Sequence, residues 1–529
     1  MDSLFAHFPK KMLAPTECDT SGVSTRILDR LNSMSLRSQL AQLFIVPLQP
    51  GQNGLASPRA MSLVRETKIG GFLVPRLMSP EQIAVETAQL QFESDIPLFI
   101  AADYERGVGR FNNAFTELPS NMGLGATGRP WLGAVAGRLT GMEARAIGVN
   151  LLFAPVVDVN SNPDNPIINI RAFGDDPEKV AELSAAFLSE VQRYGVVATA
   201  KHFPGHGNSD VDSHSGLPVV SGDIDRDLIP YRRLITSRMP PEAVMIGHIA
   251  VPGIDSLQHP ASLSRELAIN LLSSEIGFRG LKITDDLRMA ALSTVGFDEK
   301  ILMAFLAGND ILLTPEDAVD AIDVLMRAVE RGSIDSVDVA RRAARVLAAK
   351  DIACFGNSGA RSHVSIIERD APGEAIAEFM ARQTISSTED YGNFVGRPGE
   401  IRVLQFVNAT GSQTIEDAMR RFDALANLEP GGGDKLNVVV LYSRLVEGSG
   451  TAGFGDEVLG MAEDFLGSTG RGLVIILGNP YLAERFVGTP VLIGYDQSSA
   501  TVGAMLGVIK GENKPAGQIP VTMRDRSSD

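Results

Sequence analysis

Three of the seven histidines of this chain fall within fourteen residues, Lys201-His202-Phe203-Pro204-Gly205-His206-Gly207-Asn208-Ser209-Asp210-Val211-Asp212-Ser213-His214. Imidazole exchanges protons near neutral pH and is the commonest metal ligand, so such a cluster invites three chemistries. In the first, the histidines only hydrogen-bond within a Gly/Pro-rich loop. In the second, His202, His206 and His214 ligate a metal with Asp212 behind them. The spacing matches no standard zinc pattern, and Pro204 disfavours a helical His-x3-His pair. In the third, Asp212-Ser213-His214 is a dyad. The carboxylate accepts from one imidazole nitrogen, fixes the tautomer and raises the basicity of the other nitrogen, giving a proton shuttle. We favour the dyad, which asks for neither a metal nor a cofactor.

Three further segments carry polar groups. Lys282-Ile283-Thr284-Asp285-Asp286-Leu287 ends an apolar run. While strand geometry lasts only one of its two aspartates aims to a given side. Asp285 is then a candidate nucleophile or base, and Asp286 a candidate cap for a following helix. Ala102-Asp103-Tyr104-Glu105-Arg106-Gly107-Val108-Gly109-Arg110 and Arg171-Ala172-Phe173-Gly174-Asp175-Asp176-Pro177 are the others. Taken singly, each could be a surface ion-pair loop, with Arg110 or Asp175 as its charge.

These segments need a scaffold. From about residue 37 to 355, short apolar runs alternate with helical patterns. The runs are Ala41–Val46, Gly70–Val74, Pro97–Ala101, Val149–Val157, Gly195–Ala200, Ala243–Gly247, Leu281–Thr284 and Asp310–Leu313. Most are rich in β-branched residues and bounded by Gly, Pro or Asp, as buried parallel strands are. Eight such strands alternating with helices predict an α/β fold of the (β/α)8 TIM-like barrel type, whose chemistry sits at the C-terminal strand ends. All four polar segments fall there. The barrel, with an N-terminal extension, takes residues 1–355, and a polar stretch at 356–373 is a linker. Residues 374–529 form a smaller α/β open-sheet domain with strands Ile401–Val407, Leu436–Tyr442, Leu473–Leu477 and Val491–Ile493. The Gly431-Gly432-Gly433 run lacks the Lys-Ser/Thr ending of a phosphate loop.

The whole chain agrees with two domains. Its 529 residues exceed what one hydrophobic core organises. Hydrophobic residues are 44% and charged residues 21%, as in ordinary globular proteins. A net charge of −16 repels nucleic acid and anionic membranes, so neither is an expected partner. Two cysteines, Cys18 and Cys354, build neither a disulfide framework nor a cysteine metal site. The first residues do not follow a signal-peptide pattern and no run of about 18 apolar residues occurs, so the expected location is cytoplasmic.

Together the four polar segments resemble glycoside hydrolase family 3, in its bacterial β-N-acetylglucosaminidase branch. Lys201–His214 is similar to that branch's Lys-His-Phe-Pro-Gly-His-Gly…Asp-x-His signature, and Lys282–Asp286 to the strand carrying its catalytic aspartate. Asp103–Arg110 resembles a shortened Asp-x-Glu-Gly-Gly-x-Val-x-Arg loop, and Arg171–Pro177 an Arg-x-Phe-Gly-x-Asp-Pro segment. The likeness spans roughly residues 36–350 and includes Gly247-His248-Ile249. It implies a retaining enzyme with Asp285 as nucleophile and His214 as acid/base, oriented by Asp212. It also implies that Asp103, Arg171, Lys201, His202 and His248 hold the sugar. The substrate would be a small carbohydrate with a terminal β-linked N-acetylglucosamine, a muropeptide, chitin fragment or simple glycoside.

Two positions depart from the pattern. Arg106 stands where the first Gly of the pair is usual, an unexpected cation near the mouth, and Asn208 replaces an acidic residue. The alternatives are a phosphorylase using phosphate as acceptor, a metal-dependent barrel hydrolase and a non-catalytic sugar-binding protein. Against the phosphorylase stand the acidic chain and the lack of an extra basic cluster beside Asp212–His214. Every candidate reacting group precedes Asp286 in sequence, so the second domain is expected to supply none.

Overall fold

The computed structural model describes residues 23–524 except 53, 77, 111–114, 222–223, 356–370, 389–400, 409–412, 428–434, 445–452 and 469–470. Most of the expected linker and the Gly431-Gly432-Gly433 run lie outside the described residues. Eight parallel strands are present: β1 (Phe44–Pro47), β2 (Gly71–Leu73), β3 (Phe99–Ala102), β4 (Leu151–Leu152), β5 (Val197–Phe203), β6 (Ala243–Ile246), β7 (Leu281–Thr284) and β8 (Leu312–Leu313). They pair in the order β7-β6-β5-β4-β3-β2-β1-β8. Closure follows because the Asp310 and Ile311 amides donate to Lys282 O, the Thr284 amide to Ile311 O and the Leu287 amide to Leu313 O. The two ends of the sheet therefore meet as a barrel, and no edge is left exposed.

Each expected barrel strand is found, β7 with its expected ends and the others with shifted ends. Ala41 closes a helix, Leu36–Ala41, rather than opening β1. β5 runs three residues past its expected end, carrying Lys201 and His202 inside the strand. The helices between strands start on local chemistry. Asp176 accepts from the Glu178 and Lys179 amides with Pro177 in the first turn, and Ser79 and Gln82 form a reciprocal cap before Pro80.

The second domain holds β9 (Ser386–Ser387), β10 (Ile401–Val407), β11 (Leu436–Tyr442), β12 (Gly472–Leu477) and β13 (Val491–Gly494), ordered β10-β11-β12-β13-β9. β10 to β13 are parallel, as expected. The unforeseen β9 pairs antiparallel with β13, so the sheet is mixed. β11 shows why the sheet needs helices on both sides. Val438, Val440 and Tyr442 enter one apolar cluster and Val439 and Leu441 the other, the period-two alternation of a strand buried on both faces.

The second of these clusters also takes in Met122, Ala126 and Ile170 from the barrel. The domains thus share a core rather than a loose contact. Hydrogen bonds pin the seam: the Ser120 amide donates to Asp496 Oδ2 at 2.8 Å, and the Gln518 amide to Ala126 O at 2.7 Å. Asp175, a candidate surface ion-pair residue, belongs to this seam instead. Its carboxylate accepts from the Thr522 amide at 2.7 Å, and its own amide donates to Pro520 O.

Candidate active site

The register between β5 and β6 slips between Ala200 and Phe203, where β5 carries one extra residue. Neighbours on a regular strand face opposite ways, and such a bulge re-aims them. Lys201 and His202 accordingly both line one cavity. His202 donates through Nδ1 to Asp158 Oδ2 at 2.7 Å, and the His202 and His206 amides donate to Asp158 Oδ1. Asp158 lies buried just after β4. Burial opposes its ionisation, but His202 and the neighbouring donors hold it below the usual carboxylate range.

The loop that follows keeps tight company with the barrel. A Cβ at Gly207 would lie 1.9 Å from Val159 O, so only glycine fits. His206 bonds Ser209 Oγ through Nδ1 at 2.6 Å and Ser213 Oγ through Nε2 at 3.1 Å. Because Ser209 Oγ donates onward to His206 O, Nδ1 carries the proton and Nε2 accepts from Ser213. Burial, with the nearby His202, pushes His206 down to about 4, which keeps it neutral. Ser213 is further held through its carbonyl by the Ala291 amide, from the loop after β7.

His214 comes next. Its Nδ1 lies 2.8 Å from Asp212 Oδ1, and its amide donates to the same oxygen at 2.8 Å. Asp212 is buried and His214 about a third exposed, so the carboxylate backs an imidazole that borders the cavity. The expected dyad geometry is present. The metal alternative gains no geometry: among the described residues no group of three His, Cys, Asp or Glu side chains is gathered to hold an ion.

The loop after β3 supplies the charge partners. Lys201 Nζ lies 3.0 Å from Asp103 Oδ1 and 2.6 Å from Glu105 Oε1. Arg171 grips Glu105 with two bonds, Nε to Oε2 at 3.0 Å and Nη2 to Oε1 at 2.8 Å. Burial would raise Glu105, but Arg171 and Lys201 hold it well below the usual range. Burial would likewise lower Lys201, and Glu105 with Asp103 raise it. Glu105 and Lys201 are therefore both charged at neutral pH. Gly107 allows the loop its path: its φ is +79°, and a Cβ there would lie 2.5 Å from Thr116 O. Glu105 was quoted in the loop motif without a role, and Asp158 was not singled out. The signals for them were an acid two residues after Asp103 and an acid just past the fourth strand.

β7 ends at Thr284, so Asp285 and Asp286 escape strict alternation and both line the cavity. Burial works against ionisation of Asp285. His248, His202, the Asp286 amide at 2.9 Å from Oδ1, and Lys201 outweigh it and hold Asp285 below the usual range. His248 is itself pushed down by burial and so is neutral near pH 7, which leaves the amide and Lys201 as the firmer causes. Asp286 caps no helix; it accepts from the Arg288 amide and pairs with the Arg288 guanidinium at 2.6 Å. His248, an expected sugar contact, is wholly buried and does not border the cavity. It donates from Nε2 to Asp286 O at 2.8 Å and accepts at Nδ1 from Ser262 Oγ at 2.7 Å, bracing the β7 loop from behind.

The cavity measures about 1100 Å³. Asp103, Arg171, Lys201, His202, His214 and Asp285 all open onto it, as do Asn408, Arg444 and Gln497 of the second domain. Those three follow β10, β11 and β13, so the C-terminal strand ends of both sheets face the same space, where α/β sheets bind ligands. Arg106, the unexpected cation near the mouth, is already committed. It pairs with Glu117 at 2.9 Å and with Asp496 of the second domain at 3.5 Å. Arg110 also feels the charge of both Arg106 and Arg444 at the cavity wall, to which the three come from distant positions in the chain.

A barrel with this polar mouth, continued by an open α/β domain, defines the class, and the comparisons give its family. The family model described as "Glycosyl hydrolase family 3 N terminal domain" matches residues 35–349, and the chain belongs to that family. It is similar to "Beta-hexosaminidase A" of Pseudoalteromonas piscicida, 38% identical over 287 residues, 49% of this chain and 48% of that one. It is also similar to "Beta-hexosaminidase LpqI" of Mycobacterium tuberculosis, 33% identical over 335 residues, 60% of this chain and 83% of that one. The chain thus spans about half the length of the first relative. Among solved structures, a glycoside hydrolase family 3 β-N-acetylglucosaminidase from Paenibacillus sp. str. FPU-7 has a TM-score of 0.78 at 26% identity, covering 93% of this chain and 99% of that one. No helix among the described residues is long and apolar enough to cross a membrane.

Proposed function

We propose that this protein is a retaining β-N-acetylglucosaminidase working through a covalent glycosyl-enzyme. The observation that carries the reading is one cavity bordered both by the Asp285 carboxylate and by a histidine backed by a buried aspartate, above a Lys/Arg/Asp/Glu floor. Family membership and similarity to proteins named β-hexosaminidase support it.

Asp285 is charged and attacks the anomeric carbon. The bond from that carbon to the leaving oxygen breaks, its electrons go to the oxygen, and the proton on His214 Nε2 neutralises it. Asp212 stabilises the imidazolium before transfer and fixes the tautomer afterwards. In the second half, His214 Nε2 takes a proton from water as the water oxygen bonds to carbon, and the Asp285 ester bond breaks. Asp103, Arg171, Lys201 and His202 hold the hydroxyls. The Glu105 bridge keeps Lys201 and Arg171 from repelling each other, so their donors stay aimed.

Assaying 4-nitrophenyl glycosides that differ only at the 2-position tests the activity. A marked preference for the 2-acetamido sugar is expected, and equal rates with the 2-hydroxy sugar would overturn the specificity. A 5-fluoro or 2-deoxy-2-fluoro sugar should leave its label on Asp285, and a label on Asp286 would overturn the mechanism. Phosphate replacing water is the second reading, favoured by the arginine cluster and by an imidazole that is neutral after proton transfer and so does not repel an anion. N-acetylglucosamine 1-phosphate as the major product in about 10 mM phosphate, above the usual KM range, would establish it.

A further inference from the structure

The barrel and the second domain meet the cavity with unequal charge. Seven cationic and four acidic side chains line it, in a chain whose net charge is −16. Four of the cations have acidic partners within 3.5 Å: Lys201 and Arg171 on Glu105, Arg106 on Glu117 and Asp496, and Arg288 on Asp286. Arg110 shares Glu117 with Arg106, at 3.6 Å. Arg444 differs. Its guanidinium makes no hydrogen bond or ion pair with the described residues, yet its backbone is locked. The Arg444 amide donates to Asn408 Oδ1 at 2.8 Å, and Asn408 Nδ2 donates back to Arg444 O at 3.1 Å.

Arg110 is crowded by the charges of both Arg106 and Arg444. Arg110 is brought down to about 10, first by the charge of Arg106, then by burial and by Arg444, with Glu117 and Asp496 only partly compensating. Burial pushes Glu117 up against its arginine partners, which weakens it as a counter-charge. Like charges crowded at the wall of a cavity are relieved when an anion binds, and guanidinium offers paired donors that fit an oxyanion.

We infer that Arg444, with Arg110 beside it, forms an oxyanion subsite that the second domain adds to the catalytic cavity, for a carboxylate or phosphate group of the ligand. The subsite rests on the reading of the cavity given above. The barrel strand ends hold the sugar at its reacting carbon. Arg444 bonds none of those groups, so it meets what lies beyond that carbon: an anionic aglycone, or a free phosphate taking the place of water.

The test uses the full chain and three forms, wild type, Arg444→Gln and Arg444→Lys. The substrates are the 4-carboxyphenyl and 4-carbamoylphenyl N-acetylglucosaminides, which match in shape and differ in charge. The ratio of their kcat/KM values should favour the carboxylate in wild type. It should fall about tenfold in Arg444→Gln, as loss of a charged hydrogen bond does, and be partly kept in Arg444→Lys. A second arm titrates inorganic phosphate calorimetrically at constant ionic strength. Binding lost in Arg444→Gln assigns the subsite to free phosphate. If wild type turns over neither glycoside, the glycosidase reading fails by itself, and calorimetric binding of the two glycosides then decides the subsite. A charge preference and a phosphate affinity that are both the same in wild type and Arg444→Gln would overturn the inference.

Discussion

The barrel and the second domain turn the C-terminal ends of their strands to one cavity, but they prepare their side chains differently. At the barrel mouth nearly every group is committed: Glu105 holds Lys201 and Arg171, Asp158 holds His202, and Asp212 holds His214. Across the cavity the second domain locks the Arg444 backbone through Asn408 and leaves its guanidinium unpaired among the described residues. A reacting centre needs fixed charges, because preorganised groups need no rearrangement as charge develops. A recognition surface needs donors with unused capacity. On the proposed reading, the barrel performs the chemistry and the second domain helps to select the ligand.

The largest effect expected on the barrel side is that of Asp285→Ala. Turnover should fall by several orders of magnitude while the circular dichroism spectrum and melting temperature stay close to wild type. Near-normal rates would place the nucleophile elsewhere and break the comparison at its centre. His214→Ala should be selective: mild for a nitrophenyl leaving group, and about 10²- to 10⁴-fold for an alkyl or sugar leaving group that needs a proton. Asp212→Ala should repeat the pattern more weakly. A defect independent of leaving-group pKa would remove His214 from the acid/base role.

Glu105→Ala tests how committed the barrel mouth is. It leaves Arg171 without its counter-charge and Lys201 with Asp103 alone, and breaking such a buried pair costs about 3–5 kcal/mol. Urea titration should show that loss together with a raised KM. A variant as stable as wild type would mean the network is not the frame of the site.

His206 provides a smaller effect whose sign is set. Its pKa in the fold, about 4, lies below the ordinary histidine value. The unfolded chain therefore binds the extra proton first as pH falls. The stabilisation is full above about pH 6.5 and is lost as pH drops toward 4. Between pH 7 and pH 5 this group alone should remove about 2 kcal/mol from the unfolding free energy. His206→Gln should flatten that slope, and an equal slope in both proteins would contradict the assignment.

The smallest effect belongs to Glu242, far from the mouth at the start of β6. Burial pushes it up to about 7, and its Oε2 has no partner among the described residues. A raised carboxyl costs stability progressively as pH climbs from its unfolded value to its folded value, and the cost is complete above about pH 7. Glu242→Gln should therefore gain about 1 kcal/mol at pH 8 and nothing near pH 4. No gain at pH 8 would show that water reaches the group.

Much of this was legible in the chain because it is local. Apolar runs between Gly, Pro and Asp mark the eight barrel strands, since a buried parallel strand must be apolar on both faces. Asp212 and His214 are two residues apart, so their contact needs only a turn. The ends of strands were less legible: the extra residues of β5 rest on pairing with β6, and pairing is not written in either strand alone. The edge strand β9 is two residues long, too short for a period to show.

By itself, then, the sequence determined the succession of strands and helices, the dyad and the polar identity of the strand ends, because each depends on neighbours within a few residues. Only the tertiary structure decided which charges neutralise which. Lys201 meets Asp103 across 98 positions, and Arg171 meets Glu105 across 66. It turned His248 from an expected sugar contact into a buried brace, and Arg106 from an unexpected cation into a tie between domains. It also brought Arg444 to a cavity whose other charges lie hundreds of residues earlier. Coulomb energy depends on distance and burial in space, and a linear chain specifies neither until it is folded.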